Sequence, residues 1–319
     1  MCHPKRIEKR EPQPRSRALL ACIAACAIFG CSVAWSANTC TVGATTHAFG
    51  AYDTISPTSG TSSITLTCTH SANAAVTFNY TIALSSGSGS YATRQMTGGV
   101  DTLNFNHYTS GAHTTVWGDG SGGTATVSGS LTVPKGTNNS GSTTETVYGL
   151  IGAAQNVTPA ALYTTLAPIT VTVTGNFVGS TDIFNTTASV AAQCNVSAAN
   201  LSFGAIDPLN SQVDRTTTLT VNCTKNSPYT VGLDAGVTTG TTIAQRLMAN
   251  GANTMQYNLY TNAARSSIWG NTVGSWVSGS GAGLGIAQTL TVYGRVASGQ
   301  TNLAVGNYQE NTITVTVTY

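Results

Sequence analysis

The chain of 319 residues runs through the same order of residues twice. In the first half Cys40, Phe49-Gly50, Cys68, Arg94-Gln95-Met96, Tyr108-Thr109, Trp117-Gly118 and Val147-Tyr148-Gly149 lead to a strand-like run from Ile169 to Thr174. In the second, Cys194, Phe203-Gly204, Cys223, Arg246-Leu247-Met248, Tyr260-Thr261, Trp269-Gly270 and Val292-Tyr293-Gly294 lead to the matching run from Ile313 to Thr318. Phe-Gly stands nine residues after the first Cys in both. A unit of roughly 130 residues is too long for a solenoid repeat and suits one compact domain. Two tandem domains are therefore expected, 37–178 and 179–319, behind a leader of residues 1–36.

Within each unit the apolar residues recur at every second position. Val76, Phe78, Tyr80, Ile82 and Leu84 alternate with Thr77, Asn79, Thr81 and Ala83, and Ile313, Val315, Val317 and Tyr319 alternate with threonines. That is the pattern of strands with one buried face. Thr, Ser, Gly, Asn and Val fill the chain, which favours strands and turns over helices. No stretch carries a capped 3.6-residue period. The expected fold class is all-β, as two β-sandwiches.

The N-terminus reads as an export signal. Basic residues up to Arg17 precede an apolar run over 18–33 and the small residues Ala34, Ser36 and Ala37, so cleavage is expected after Ser36. The run is shorter than the ~20 residues a membrane span needs. A lipid-attachment reading at Cys31 fits less well, because Phe29 is a poor match two residues before that Cys. Six of the 13 Lys and Arg and two of the 11 Asp and Glu lie in this leader, which leaves seven bases against nine acids in 37–319. A broad phosphate-binding surface is thereby excluded, and no nucleic-acid partner is expected.

Four cysteines remain after the leader, and four allow three connectivities. The repeat selects Cys40–Cys68 and Cys194–Cys223, at separations of 28 and 29 residues. In an oxidising compartment each bridge would close a loop worth about 3–4 kcal/mol. A metal site among them would lack CxxC spacing and a nearby His in the second half. No cofactor is expected. His47, His70, His107 and His113 all lie in the first half, and under the repeat His107 falls where the second half has Leu259. No carboxylate pair stands out, and neither glycine-rich run fits a nucleophile elbow or a dinucleotide loop. Trp117, Trp269, Arg94 and Arg246 recur at matched positions and read as scaffold. An enzyme is not expected; a secreted hydrolase is the least favoured alternative.

Nearly all of the chain after the leader resembles the spore coat protein U domain, the subunit family of archaic, Csu-type chaperone–usher pili, most closely in the second half. The resemblance is carried by Leu201-Ser-Phe-Gly204, Pro228-Tyr229, Leu233-Asp-Ala-Gly236, Arg246-Leu-Met248, Tyr257-Asn-Leu-Tyr260, Val292-Tyr-Gly-Arg295, Gly306-Asn-Tyr308 and the terminal Thr-Val run to Tyr319. The first half departs from it: Leu150 follows Gly149, Ala161-Leu-Tyr163 replaces the Gly-x-Tyr turn, and its last strand ends in Gly175.

What the resemblance implies is an immunoglobulin-like sandwich, incomplete in the second half because it lacks its last strand. The strand of Ile313, Val315, Val317 and Tyr319 would accept a donor strand from an adjacent pilin by β-augmentation. The implied partners are a periplasmic pilus chaperone, an outer-membrane usher, a neighbouring subunit and an unidentified surface or receptor. The implied function is a structural and adhesive pilus subunit, exported through the periplasm to the cell surface or secreted. A spore-coat-like structural surface protein is the alternative.

Three further expectations follow. Residues 176–193 are long enough to close the first domain and open the second, so 37–185 should fold alone and 186–319 should not. With cleavage after Ser36, three residues precede Cys40. They reach about 10 Å at most, short of a donor strand of ~17–20 Å, which places the chain at a fibre tip. The first domain's loops over 107–123, 134–144 and 153–163 would then be free to bind, with Val157, Pro159, Leu162 and Tyr163 as an apolar adhesive loop.

Overall fold

The computed structural model describes residues 38–136, 139–206 and 211–319. The expected leader, with Cys31 and the Ser36 cleavage point, lies outside the described residues. Every named element is a strand. The first unit contains β1 (Thr39–Ala44), β2 (His47–Ala51), β3 (Thr58–His70), β4 (Val76–Leu84), β5 (Arg94–Gly98), β6 (Asp101–Tyr108), β7 (Val127–Val133), β8 (Asn139–Ile151), β9 (Ala160–Thr164), β10 (Ile169–Gly175), β11 (Ser180–Phe184) and β12 (Thr186–Val190). The second contains β13 (Cys194–Ala198), β14 (Val213–Cys223), β15 (Pro228–Leu233), β16 (Arg246–Asn250), β17 (Asn253–Tyr260), β18 (Val277–Ser280), β19 (Gln288–Val296) and β20 (Val315–Thr318).

Each unit is a pair of facing sheets. In the first the sheets are β1-β3-β8-β6-β5-β9-β12-β2 and β11-β10-β4-β7; in the second they are β13-β14-β19-β17-β16 and β18-β15-β20. The alternation seen in the sequence becomes burial. Phe78, Ile82 and Leu84 of β4 face the same core as Val171 and Val173 of the adjacent β10, while the residues alternating with them lie on the other face and are half-buried or exposed. The repeated Phe-Gly has a backbone reason: Gly50 and Gly204 both sit at φ +75°, where a side chain would be strained.

The repeated Arg, Asn and Trp form the same internal frame in both units. Arg94 donates to Asn106 Oδ1 and, at 2.8 Å each, to the carbonyls of Ser85 and Trp117. Arg246 donates to Asn258 Oδ1 (2.6 Å) and to the carbonyls of Asp234 (2.9 Å), Leu233 (3.1 Å) and Trp269 (2.7 Å). Trp117 and Trp269 in turn donate to the carbonyls of Ile82 and Val231. Both guanidinium groups are fully buried with carbonyl and amide acceptors, and burial lowers the pKa of each. These residues are scaffold: they staple the loop after β6 or β17 across to the other sheet.

The two halves part company at their last strand. The first unit runs on to Val190, past the boundary expected at 178/179, because β11 pairs antiparallel with β10 and β12 pairs antiparallel with β9 and parallel with β2. Together β11 and β12 make one broken strand lying between the first strands of the unit and its last ones. Residues 180–190 thus close the first unit, and the second opens only at Cys194.

Candidate functional site

Along the closing segment, Phe184, Thr186, Ala188 and Val190 point inward and are at most 4% exposed. Phe184 joins the core that holds Ile169, Val171 and Val173, and Ala188 and Val190 join a second core, which includes Phe49, Met96, Leu103, Phe105 and Tyr163. Under this cover the last strand is dry: Ile169, Val171 and Val173 are all 0% exposed.

Nothing in the second unit corresponds to β11 and β12 among the described residues. β20 has one hydrogen-bonded neighbour, β15, and its other edge is open. Ile313, Val315 and Val317, the counterparts of the three dry residues, remain partly exposed, and Tyr319 is 58% exposed. Ile313 stands just ahead of the strand; it and Val315 line a groove of about 1410 Å³. Phe203, Met248, Met255, Tyr257 and Leu259 form part of its wall, the counterparts of Phe49, Met96, Leu103, Phe105 and His107. Burial pushes the Tyr257 phenol upward, so these five residues carry no charge at neutral pH. The groove is therefore the first unit's second core with its cover removed. It offers an apolar floor and an unpaired strand edge, which is what an added strand needs.

In the sequence Phe203, Met248, Tyr257 and Leu259 stand out only as repeat or resemblance positions and none is assigned to a groove, although each matches a buried residue of the first half. The cysteines are brought together in two pairs, Cys40 with Cys68 (S–S 2.06 Å) and Cys194 with Cys223 (1.98 Å), each joining a unit's first strand to its neighbour.

Of the expected adhesive loop over 153–163, residues 153–159 lie outside any strand and the rest do not. Residues 160–164 are β9, paired with β12 and β5. Val157 (4%) and Tyr163 (0%) are buried; the Tyr163 hydroxyl donates to Thr158 O at 2.6 Å. Only Leu162, at 56%, is a large apolar side chain turned to solvent. This region also faces the second unit, since Asn156 Nδ2 donates to Ala282 O (2.9 Å) and Lys225 pairs with Asp101 (2.8 Å) beside Thr158. The physical reason is the closing strand: β12 needs β9 as its antiparallel neighbour. The other two loop candidates shrink likewise, since His107 is a buried residue of β6 and 139–144 belong to β8.

No group of three His, Cys, Asp or Glu able to hold a metal ion occurs among the described residues. His47 and His107 do meet, with ring centroids 4.8 Å apart, but they are walled by Phe49, Phe105 and Phe184.

Comparison with known proteins agrees with this architecture. Residues 26–174 and 180–318 each match the family described as Spore Coat Protein U domain. Protein U of Myxococcus xanthus is 33% identical over 151 residues, which is 42% of this chain and 82% of that protein. Among solved structures, the fold is similar to the CsuC–CsuE chaperone–tip adhesion subunit pre-assembly complex of archaic chaperone-usher Csu pili from Acinetobacter baumannii. That likeness has a TM-score of 0.52 at 14% identity and covers 88% of this chain and 100% of the other.

Proposed function

The chain belongs to the Spore Coat Protein U domain family, and from that premise we propose that it is a structural and adhesive subunit of an archaic chaperone–usher pilus. Its second unit receives a donor strand, first from a periplasmic chaperone and then from the neighbouring subunit after delivery to an outer-membrane usher. The observation that carries this reading is the difference between the two units. The same groove is filled by 180–190 in the first and stands open in the second. A strand entering it would pair with the free edge of β20 and place alternate side chains against Phe203, Met248 and Leu259. Each large apolar side chain so buried contributes about 1.5–3 kcal/mol.

The same difference supports a tip position. The first unit is already complete and has no groove to offer, so it is free to face outward and meet a surface. Export through the periplasm to the cell surface goes with this role, and the two disulfides suit an oxidising compartment. The second reading, a coat-like surface protein without a tip position, is favoured by the likeness to Protein U.

The test is co-expression with a periplasmic chaperone of an archaic pilus system, followed by purification. The expected result is a stable one-to-one complex in which the second unit is protected from protease. Recovery of the full chain as a stable monomer with no chaperone bound would overturn the assignment. Immunogold labelling of assembled fibres separates the two readings: label at the ends supports the tip, and label along the shaft excludes it.

A further inference from the structure

The two grooves differ most in one place. In the first, His47 and His107 stand on either side of Thr186, which is paired with His47 in register and lies 3.3 Å from His107 Nε2 through its hydroxyl. In the second, the same two positions hold Leu201 and Leu259. The packing confirms the correspondence. A methyl group placed on Gly149 would strike His47 Nε2 and Phe49, and one on Gly294 would strike Leu201 Cδ2 and Phe203. The neighbouring pairs Phe49–Phe105 and Phe203–Tyr257 keep the same ring separation of 6.0 Å.

We propose that this pair of positions sorts the two closing strands: His47 and His107 hold the first groove for the chain's own Thr186, while Leu201 and Leu259 reserve the second for a strand with an aliphatic residue at that register. The inference rests on the strand-acceptor reading of the second groove.

The first groove is short of partners for its polar atoms. His47 Nδ1 lies 3.0 Å from the Ser62 hydroxyl, but His47 Nε2 and His107 Nδ1 have no hydrogen-bond partner. Replacing Thr186 by an aliphatic residue would orphan His107 Nε2 as well. The second groove has the opposite bias. Thr217, the counterpart of Ser62, directs its hydroxyl to the carbonyls of Ala199 and Asn200, 3.1 and 3.0 Å away. A threonine entering between Leu201 and Leu259 would bury its hydroxyl without a partner from either. Such a mismatch shifts an equilibrium roughly tenfold or more. Sorting is needed because 180–190 is joined directly to the second unit and could otherwise fill the groove that a neighbour must enter.

The test extends the otherwise intact chain beyond Tyr319 with a copy of residues 175–190, the loop and strand that turn back onto β10 in the first unit. One version keeps the copied threonine and a second carries Thr186→Val in the copy only. Amide hydrogen exchange of β17 and β20 reads occupancy of the second groove. Both copies are expected to protect these strands, the valine copy about tenfold more than the threonine copy. In a background of Leu201→His with Leu259→His the preference should vanish or reverse. Should that background fail to fold, His107→Leu in the unextended chain provides the second measurement: it should destabilise the first unit less when combined with Thr186→Val than alone. Equal protection by both copies would overturn the sorting while leaving the groove as a strand acceptor. Protection by neither would overturn the strand-acceptor reading and the sorting with it.

Discussion

Phe184 lies opposite Ile169 in one sheet of the first unit, and two residues later Thr186 lies beside His47 in the other sheet. One segment therefore ties the last strand to the first and bridges both sheets. Cutting it is more damaging than its length suggests. A fragment 37–190 is expected to unfold in one cooperative transition, whereas 37–185 loses Thr186, Ala188 and Val190 from its core and should be less stable by several kcal/mol. Urea titrations of the two fragments check this; equal midpoints would refute it. On this geometry we propose 37–190, rather than 37–185, as the fragment that folds alone.

The open edge of the second unit should be visible in the intact chain. Amides of β20 are expected to exchange faster than those of β10, because β10 is paired on both sides, by β4 and β11, and β20 only by β15. Similar protection of the two strands would show that the edge is covered in solution.

Arg94 and Arg246 each hold three or four acceptors inside the protein. Arg94→Ala or Arg246→Ala leaves Asn and carbonyl oxygens buried without donors, at a cost of about 3 kcal/mol or more. Thermal unfolding of each variant should show a loss confined to its own unit. A change below about 0.5 kcal/mol, the size of an ordinary surface substitution, would remove the arginines from the frame.

Acid should weaken the first unit before the second. Burial lowers His47 to about 4 and holds His107 well below its ordinary 6.5, so the folded unit resists protons that the unfolded chain accepts. This contribution to stability is complete above pH 6.5 and is lost as pH falls toward 4. His47 alone accounts for about 3 kcal/mol across that window. The second unit has no histidine. Denaturant midpoints of the two units at pH 7 and pH 4.5 test the difference, and a first-unit midpoint unchanged between them would refute it.

Leu162 and Tyr163 should behave as opposites. Leu162→Asp changes an exposed side chain and is expected to alter stability by less than about 0.5 kcal/mol. Tyr163→Ser empties a core position and removes the bond to Thr158, which should cost about 3 kcal/mol. Adhesion assays can therefore use Leu162→Asp alone. Unimpaired adhesion by correctly assembled fibres carrying it would exclude that residue from the contact.

Residue order by itself determined the duplication, the strand character of each segment and the face each apolar residue presents, because those follow from period two and from matched spacing. It also marked Arg94, Arg246, Trp117 and Trp269 as scaffold, since their repetition needs no knowledge of neighbours. Which strand lies beside which was a different matter. Alternation says that Phe184, Ala188 and Val190 share a face with Thr186, but not that they close the first unit. That depends on long-range pairing with Ile169, Thr164 and His47. The same pairing drew the end of the expected adhesive loop, from Ala160, into β9 and buried Tyr163. Only the tertiary structure could show that Ile169 is dry and Ile313 is not. The two segments are nearly identical in sequence, and their burial is set by a strand present over one and missing over the other.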